Sequence, residues 1–144
     1  MIEFGKEVTE FTEIPILLEI RETIDSFLKV VIAVPQIEEG GDDELPSFVV
    51  TEENTHESIC HSYESYRVTR YTSFDDFLME EYDGDYLVEF HDSRYLNSLN
   101  PPVGFDQPLR HYGIVTDYHL IEVLTYEEPE ITSYDQQEDL ELLN

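Results

Sequence analysis

The sequence predicts an α+β fold: a mostly antiparallel sheet of four to six strands, with one longer N-terminal helix and one short helix. Three observations predict it. Apolar residues near the N-terminus recur at helical spacing, β-branched and aromatic runs follow between turn signals, and 144 residues with 40% hydrophobic content can bury one core. We expect a single domain over residues 1–130 and an acidic tail over 131–144.

The predicted long helix begins near Pro15, since proline is favoured in a first helical turn, and runs to about residue 26. A rival interpretation makes Ile16–Ile20 and Leu28–Val34 the two strands of a hairpin. We expect the helix, followed by a buried strand at Lys29–Val34, where β-branched residues are dense. The apolar stripe that favours the helix consists of Leu17, Ile20, Ile24, Phe27 and Leu28.

In the middle of the chain, the sequence predicts short strands between loops. Residues 35–57 contain one glycine pair and two prolines, a composition that predicts a long loop. Residues 74–82 fit both a helical turn and a strand. The predicted strands are Phe48–Val50, Tyr66–Thr72 and Tyr86–Phe90, the last preceded by a tight turn at Asp83-Gly84.

Towards the C-terminus, Asp92 or Ser93 is predicted to cap a short helix that carries Tyr95, Leu96 and Leu99. The helix should end at Asn100-Pro101-Pro102, because the residue before a proline avoids helical geometry. The clearest pair of elements is a hairpin of two strands, His111–Val115 and Leu120–Thr125.

The charge of the chain excludes several classes of function. It has 34 Asp and Glu against 7 Lys and Arg, a net charge of −27. Direct nucleic-acid binding requires clustered cations, and anionic membrane surfaces repel such a chain. The 8 Phe and 10 Tyr exceed what a disordered acidic tail contains. We therefore expect a folded protein whose partner is a basic protein, either a toxin or a nucleic-acid-binding protein.

The acidic residues concentrate in three segments that contain no Lys or Arg. Residues 37–57, 71–92 and 117–144 together hold 25 of the 34 acids. The middle segment interleaves acids with rings, a composition that suits a partner-facing surface because carboxylates bind arginine and rings supply contact area. We call its candidate residues the acidic surface: Asp75, Asp76, Phe77, Glu80, Glu81, Tyr82, Asp83 and Asp85.

Two features bear on metals, cofactors and location. His56, Cys60 and His61 are weak candidates for metal ligands, since His56 and Cys60 would share one face of a helix. No second ligand cluster stands at a recognised spacing, and the sequence contains no Gly-rich phosphate loop and no Ser-centred elbow, so we predict no metal, no cofactor and no catalytic residues. The single cysteine allows no intrachain disulfide, and the N-terminus does not resemble a signal peptide; a cytoplasmic location is expected.

The order of motifs from Tyr66 to Pro129 resembles small, largely uncharacterised bacterial proteins of the toxin-immunity type. The matching stretches are Tyr66-Arg-Val-Thr-Arg-Tyr71, Glu80-Glu-Tyr82, Tyr86-Leu-Val-Glu-Phe90, Asp92-Ser-Arg-Tyr-Leu96, Arg110-His-Tyr-Gly-Ile-Val-Thr116, Ile121-Glu-Val-Leu124 and Glu128-Pro129. They are packing motifs, so the resemblance implies no catalytic residue. It implies a small α+β protein that binds another protein.

Three hypotheses follow. The first is a non-catalytic inhibitor or immunity-type protein that neutralises a basic partner, such as a nuclease, through the acidic surface. The second is a DNA mimic, whose carboxylates would imitate phosphate spacing and block a DNA-binding protein. The third is a small enzyme or metal-binding protein that uses the region of His56, Cys60 and His61, together with His111.

Overall fold

The computed structural model describes residues 2–8, 11, 13–38, 41–42, 47–49, 52–70, 82–91, 93–98 and 108–133. These residues form eleven strands, one turn of 3-10 helix (Glu52–Asn54) and one α-helix, α1 (Arg94–Ser98). The strands are β1 (Ile16–Glu22), β2 (Leu28–Ala33), β3 (Gln36–Glu38), β4 (Ser47–Val49), β5 (Thr55–Cys60), β6 (Tyr63–Arg70), β7 (Tyr82–Asp83), β8 (Leu87–Phe90), β9 (Arg110–Val115), β10 (His119–Thr125) and β11 (Glu130–Ser133).

Nine of the strands build two antiparallel sheets. Sheet 1 has the strand order β1-β2-β5-β11, and sheet 2 has the order β6-β10-β9-β8-β7, while β3 and β4 pair with each other. The prediction of an α+β fold with a longer N-terminal helix is therefore wrong. The protein is built mainly from antiparallel sheets, and the helix of its described residues has only five residues.

A β-bulge explains the misleading helical spacing near the N-terminus. The segment is the hairpin β1–β2, and its register shifts between Leu17, which faces Ile32, and Glu19, which faces Val31. Leu18 is the extra residue of the bulge and is 49% exposed. Leu17 and Ile20 both pack against the core although they are three residues apart, because the bulge inserts one residue into a two-residue repeat.

The turn of this hairpin also differs from the prediction. Ile24 belongs to the predicted apolar stripe, yet it lies at the hairpin tip and is fully exposed. The Thr23 N–H donates to the Phe27 carbonyl (2.9 Å), and the Ser26 N–H donates to the Thr23 carbonyl (3.0 Å). Ser26 has a φ of 65°, in the left-handed region that non-glycine residues seldom adopt.

The main core lies between the inner faces of the two sheets. Sheet 1 contributes Leu28, Val30 and Ile32 of β2, and sheet 2 contributes Tyr112, Ile114, Ile121 and Val123, all in one buried cluster. Three N-terminal residues, Phe4, Val8 and Phe11, complete the same cluster. At the edge of the sheets, the Tyr63 hydroxyl of β6 donates a hydrogen bond to Glu22 of β1.

Several predicted strands are confirmed with small shifts. They are Lys29–Val34 (β2), Phe48–Val50 (β4), Tyr86–Phe90 (β8), His111–Val115 (β9) and Leu120–Thr125 (β10). The predicted strand Tyr66–Thr72 corresponds to β6, which begins at Tyr63. The loop predicted over residues 35–57 is wrong at both ends, because Gln36–Glu38 form β3 and Thr55 opens β5, a central strand of sheet 1. Strand β11 takes up residues 130–133, at the start of the predicted tail.

Candidate functional site

The structure describes three of the eight residues of the acidic surface. Tyr82 and Asp83 form β7, and Asp85 follows in the turn before β8. Both carboxylates are exposed, and Tyr82 is half-buried with its ring 5.8 Å from that of Phe90. The other five residues lie outside the described residues: Asp75, Asp76, Phe77, Glu80 and Glu81.

The turn that presents Asp85 is held against the N-terminal segment. The Gly5 N–H donates to the Leu87 carbonyl at 2.8 Å. Gly84 has a φ of 105°, and a Cβ there would lie 2.4 Å from the Leu87 oxygen and 3.0 Å from the Gly5 Cα. Only glycine satisfies both the φ angle and this close approach, so the spacing between the two segments depends on it.

A cleft opens between these two segments. We call it the N-terminal cleft; it is lined by Glu7, Val8, Phe11, Asp85 and Tyr86. Val8 and Phe11 are buried, and the rings of Phe11 and Tyr86 lie 6.4 Å apart at 25° to each other. Glu7 and Asp85 are exposed. The cleft thus combines two aromatic rings with two carboxylates.

Ion pairs within the chain use much of its small supply of cations. Four of the seven Lys and Arg residues pair with carboxylates of the same chain: Arg21 with Glu19 (3.0 Å), Lys29 with Glu57 (3.2 Å), Arg67 with Glu122 (2.6 Å) and Arg110 with Glu89 (2.7 Å). Even complete pairing would leave 34 − 7 = 27 carboxylates without a Lys or Arg partner. The acidity of the surface is therefore not cancelled internally.

A second polar assembly lies on the outer face of sheet 2. We call it the buried polar network: Ser93, His111 and Glu122 are buried, and Arg67, whose side chain is 49% exposed, joins them from the surface. His111 Nδ1 lies 2.6 Å from Ser93 Oγ, and His111 Nε2 lies 3.0 Å from Glu122 Oε1. Arg67 donates to both oxygens of Glu122, at 2.6 and 3.1 Å. One buried carboxylate thus links β6, β9 and β10.

Aromatic rings enclose the network. The Phe90 ring stacks on the His111 ring at 4.2 Å, and the Tyr95 ring of α1 meets it edge-on at 5.5 Å. The guanidinium carbon of Arg67 lies 4.1 Å from the centre of the Tyr95 ring, a cation–π contact. The Tyr95 hydroxyl lies 2.6 Å from Ser65 Oγ. Helix α1 is therefore anchored over the network by its single buried residue.

Electrostatics keep Glu122 ionised inside this enclosure. Burial raises its pKa, but the hydrogen bonds from His111 and Arg67 together lower the pKa by a larger amount. The pKa of Glu122 therefore lies below the ordinary value of 4.5. An ionised carboxylate only accepts hydrogen bonds, so His111 Nε2 carries a hydrogen. The network is therefore satisfied as a charged, hydrogen-bonded unit.

The residue types of the network match those of a Ser-His-acid catalytic triad, but the arrangement does not. Ser93 and His111 are both 0% exposed, so a substrate cannot reach the hydroxyl. Ser93 Oγ also accepts the Leu96 N–H at 3.0 Å and so caps α1, which confirms one of the two predicted caps. As arranged, these groups hold the helix to the sheet, a structural role.

Sequence reasoning missed most of this network. Its one local signal is Glu122, the single charged residue in the apolar run from Leu120 to Leu124. A carboxylate inside a buried strand requires partners. Arg67 is its cross-strand neighbour in β6, and His111 lies in β9 on the other side. Neither partner can be identified before the strand pairing is known.

The weak metal candidates are separated by their secondary structure. His56 and Cys60 lie on β5 rather than on a helix, so four residues span about 13 Å instead of one helical turn. The His56 ring packs 5.1 Å from that of Phe11, and the His61 ring packs 5.0 Å from that of Phe27. Among the described residues, no group of three or more His, Cys, Asp and Glu is arranged to hold a metal ion.

Cys60 belongs to the core rather than to a reactive site. It is 3% exposed, and its thiol donates to Thr125 Oγ1 at 3.2 Å. Burial raises the pKa of the thiol, although the bond to Thr125 acts in the opposite direction. A protonated, enclosed thiol is a poor nucleophile and a poor metal ligand.

Comparisons with known proteins identify no relative of this chain. No protein-family model matches the chain, and neither the curated proteins nor the solved structures contain a significant match. The resemblance to immunity-type proteins thus stays a prediction. In the part of the chain that the structure describes, no helix is long and apolar enough to cross a membrane.

Proposed function

We propose that this chain is a non-catalytic acidic binding protein that covers a basic surface of a partner protein and thereby neutralises it, as an immunity protein neutralises a nuclease toxin. The observation that supports the proposal is the charge balance: the 34 Asp and Glu residues outnumber the 7 Lys and Arg residues by 27, and four of these seven cations already pair within the chain.

An excess of negative charge lowers the stability of the chain when no partner is bound, which is the physical reason to expect a cationic partner. Self-repulsion destabilises a folded chain of high net charge, and a cationic partner relieves it on binding. Opposite potentials also accelerate encounter and select against partners of the wrong charge. In this proposal the chain acts in the cytoplasm and contacts neither nucleic acid nor membranes directly, because both are anionic.

The described part of the acidic surface has the chemistry that this role requires. Asp83 and Asp85 are exposed beside the half-buried Tyr82, next to the N-terminal cleft. Carboxylates can accept paired hydrogen bonds from arginine, while rings contribute contact area with little loss of side-chain entropy.

The experiment pairs the purified chain with the purified product of the neighbouring gene, because inhibitors of toxins are commonly encoded beside them. We expect a stable complex at low salt and loss of the partner's toxicity or nuclease activity. A variant with Asp75→Asn, Asp76→Asn, Glu80→Gln and Glu81→Gln should bind more weakly. The matched control, with Glu38→Gln, Glu39→Gln, Asp42→Asn and Asp43→Asn, should bind like the wild type.

Three outcomes would count against the proposal or part of it. A chain that binds no basic protein at low salt would overturn it. A complex with a DNA-binding protein of no toxicity would favour the DNA-mimic hypothesis instead. If the two four-residue variants bind the partner equally well, the proposal of a basic partner stands, but the acidic surface is not the binding site.

A further inference from the structure

We propose that the N-terminal cleft is the receptor for one arginine side chain of the partner protein. The inference rests on the proposed function and adds to it a place on the surface and a ligand class. The cleft includes Asp85, which follows Asp83 of β7 by two residues, so it extends the acidic surface towards the N-terminal segment.

The walls of the cleft suit the flat face of a guanidinium group. Tyr86 is half-buried and supplies the accessible ring, while the ring of Phe11, only 6% exposed, lies 6.4 Å from it and supports it from the core. Val8 also lines the cleft and, at 5% exposed, offers a small aliphatic contact to the methylene groups of the arginine side chain. A guanidinium stacks on aromatic faces and is more weakly hydrated than an ammonium group, so we expect arginine to bind in preference to lysine.

Two carboxylates complete the recognition. Glu7 comes from the N-terminal segment and Asp85 from the turn before β8, and both are exposed. Neither carboxylate pairs with a Lys or Arg among the described residues. The five N–H donors of a guanidinium can bond to carboxylates in two directions at once. The charge of the cleft is thus complementary to the proposed ligand.

The cleft is also already formed in the free chain. The Gly5 N–H bonds to the Leu87 carbonyl, and Phe4, Val8 and Phe11 are all buried in the main core. The ring of Phe11 also packs against the ring of His56, with 5.1 Å between the ring centres. Because these contacts hold Val8 and Phe11 in place, binding does not require these two residues to become ordered, a step that otherwise reduces affinity.

The test uses N-acetylarginine amide as a probe, with N-acetylcitrulline amide as its uncharged, nearly isosteric control. Titration followed by ¹H–¹⁵N NMR should give saturable shifts at Glu7, Val8, Phe11, Asp85 and Tyr86, with a dissociation constant in roughly the millimolar range expected for so small a ligand. The double variant Glu7→Gln with Asp85→Asn should lose these shifts. A control with Asp25→Asn and Glu130→Gln, both exposed, should keep them.

Equal shifts with citrulline, or unchanged binding by the Glu7/Asp85 double variant, would overturn the inference. The partner complex separates this failure from that of the proposed function. The double variant should weaken a complex with the basic partner about tenfold, from two lost charge contacts. If the wild type binds the partner, and the Glu7/Asp85 and Asp25/Glu130 double variants bind it equally well, the cleft is excluded as the arginine site while the proposed function stands. If no basic partner binds, the arginine titration alone decides whether the cleft recognises guanidinium.

Discussion

The Nε2 atom of His111 lies 3.0 Å from a carboxylate oxygen of Glu122, and the two residues are 0% and 3% exposed. The same carboxylate accepts two hydrogen bonds from Arg67, while the other nitrogen of His111 meets Ser93. Three strands and the cap of α1 are therefore joined through one buried acid, on the face of sheet 2 that is turned away from the main core.

We predict that Glu122→Ala lowers the free energy of unfolding by about 3 kcal/mol, because it leaves the buried His111 without its acceptor and Arg67 without its ion pair. Urea denaturation measures the change. Glu130→Ala, at an exposed position of β11, is the control and should change stability by no more than about 0.5 kcal/mol. If the two variants lose equal amounts, the buried polar network does not stabilise the fold.

The pH dependence of stability should identify Glu122 as well. Its pKa in the folded protein lies below the ordinary 4.5, so its ionised form adds stability that is present above about pH 4.5 and is lost as the pH falls through the lower folded value. We predict that the stability difference between wild type and Glu122→Gln narrows as the pH falls below about 4.5.

The difference between the two proteins is the quantity to measure, because acidification also reduces the self-repulsion of the −27 chain and so shifts the stability of both. Urea denaturation at constant ionic strength supplies it across the pH range. A difference that stays constant down to the lowest pH at which both proteins fold would refute the assignment.

Gly113 should be intolerant of any side chain. A Cβ at this position would lie 2.9 Å from Phe90 Cε2 and 3.1 Å from Val88 Cγ2, both in the cluster on the outer face of sheet 2. We predict that Gly113→Ala destabilises the protein by about 1–3 kcal/mol through overpacking. Gly41→Ala is a matched control, since a Cβ there meets nothing within 4 Å. Similar thermal midpoints for the two variants would contradict the packing of this face.

Salt should stabilise the free chain. Screening weakens repulsion among the uncompensated carboxylates, while the buried pair of His111 and Glu122 is shielded from solvent ions. We predict that the thermal midpoint rises steadily from about 20 mM to about 500 mM NaCl, a range over which the Debye length falls severalfold. A midpoint that falls with salt would show that surface ion pairs such as Arg21–Glu19 outweigh the repulsion.

The sequence predicts best the strands that combine compact apolar runs with clear turn signals. β9 and β10 are examples, because both contain buried runs and a polar connection joins them. β1 has the pattern of a helix instead, because the bulge at Leu18 gives Leu17 and Ile20 the three-residue spacing of a helical face. A bulge is fixed by pairing with β2, which single-strand periodicity does not contain.

The same limit applies to the candidate site. The polar sequence of β5, Thr55–Cys60, resembles a loop, and its burial results from its neighbours β2 and β11 in sheet 1. The N-terminal cleft joins Glu7 to Asp85, which are 78 positions apart in the chain. Local composition indicates that Asp85 belongs to an acidic surface, but the second carboxylate reaches it through tertiary contacts, namely the bond between Gly5 and Leu87 and the burial of neighbouring N-terminal residues in the core.

The measurement that tests the central claim most directly is the affinity of the chain for the product of its neighbouring gene as a function of NaCl concentration. If the chain binds a basic partner through its uncompensated carboxylates, the dissociation constant should rise at least tenfold between about 50 mM and 500 mM NaCl, chiefly through slower association. An affinity that is unchanged or stronger at high salt would contradict the account.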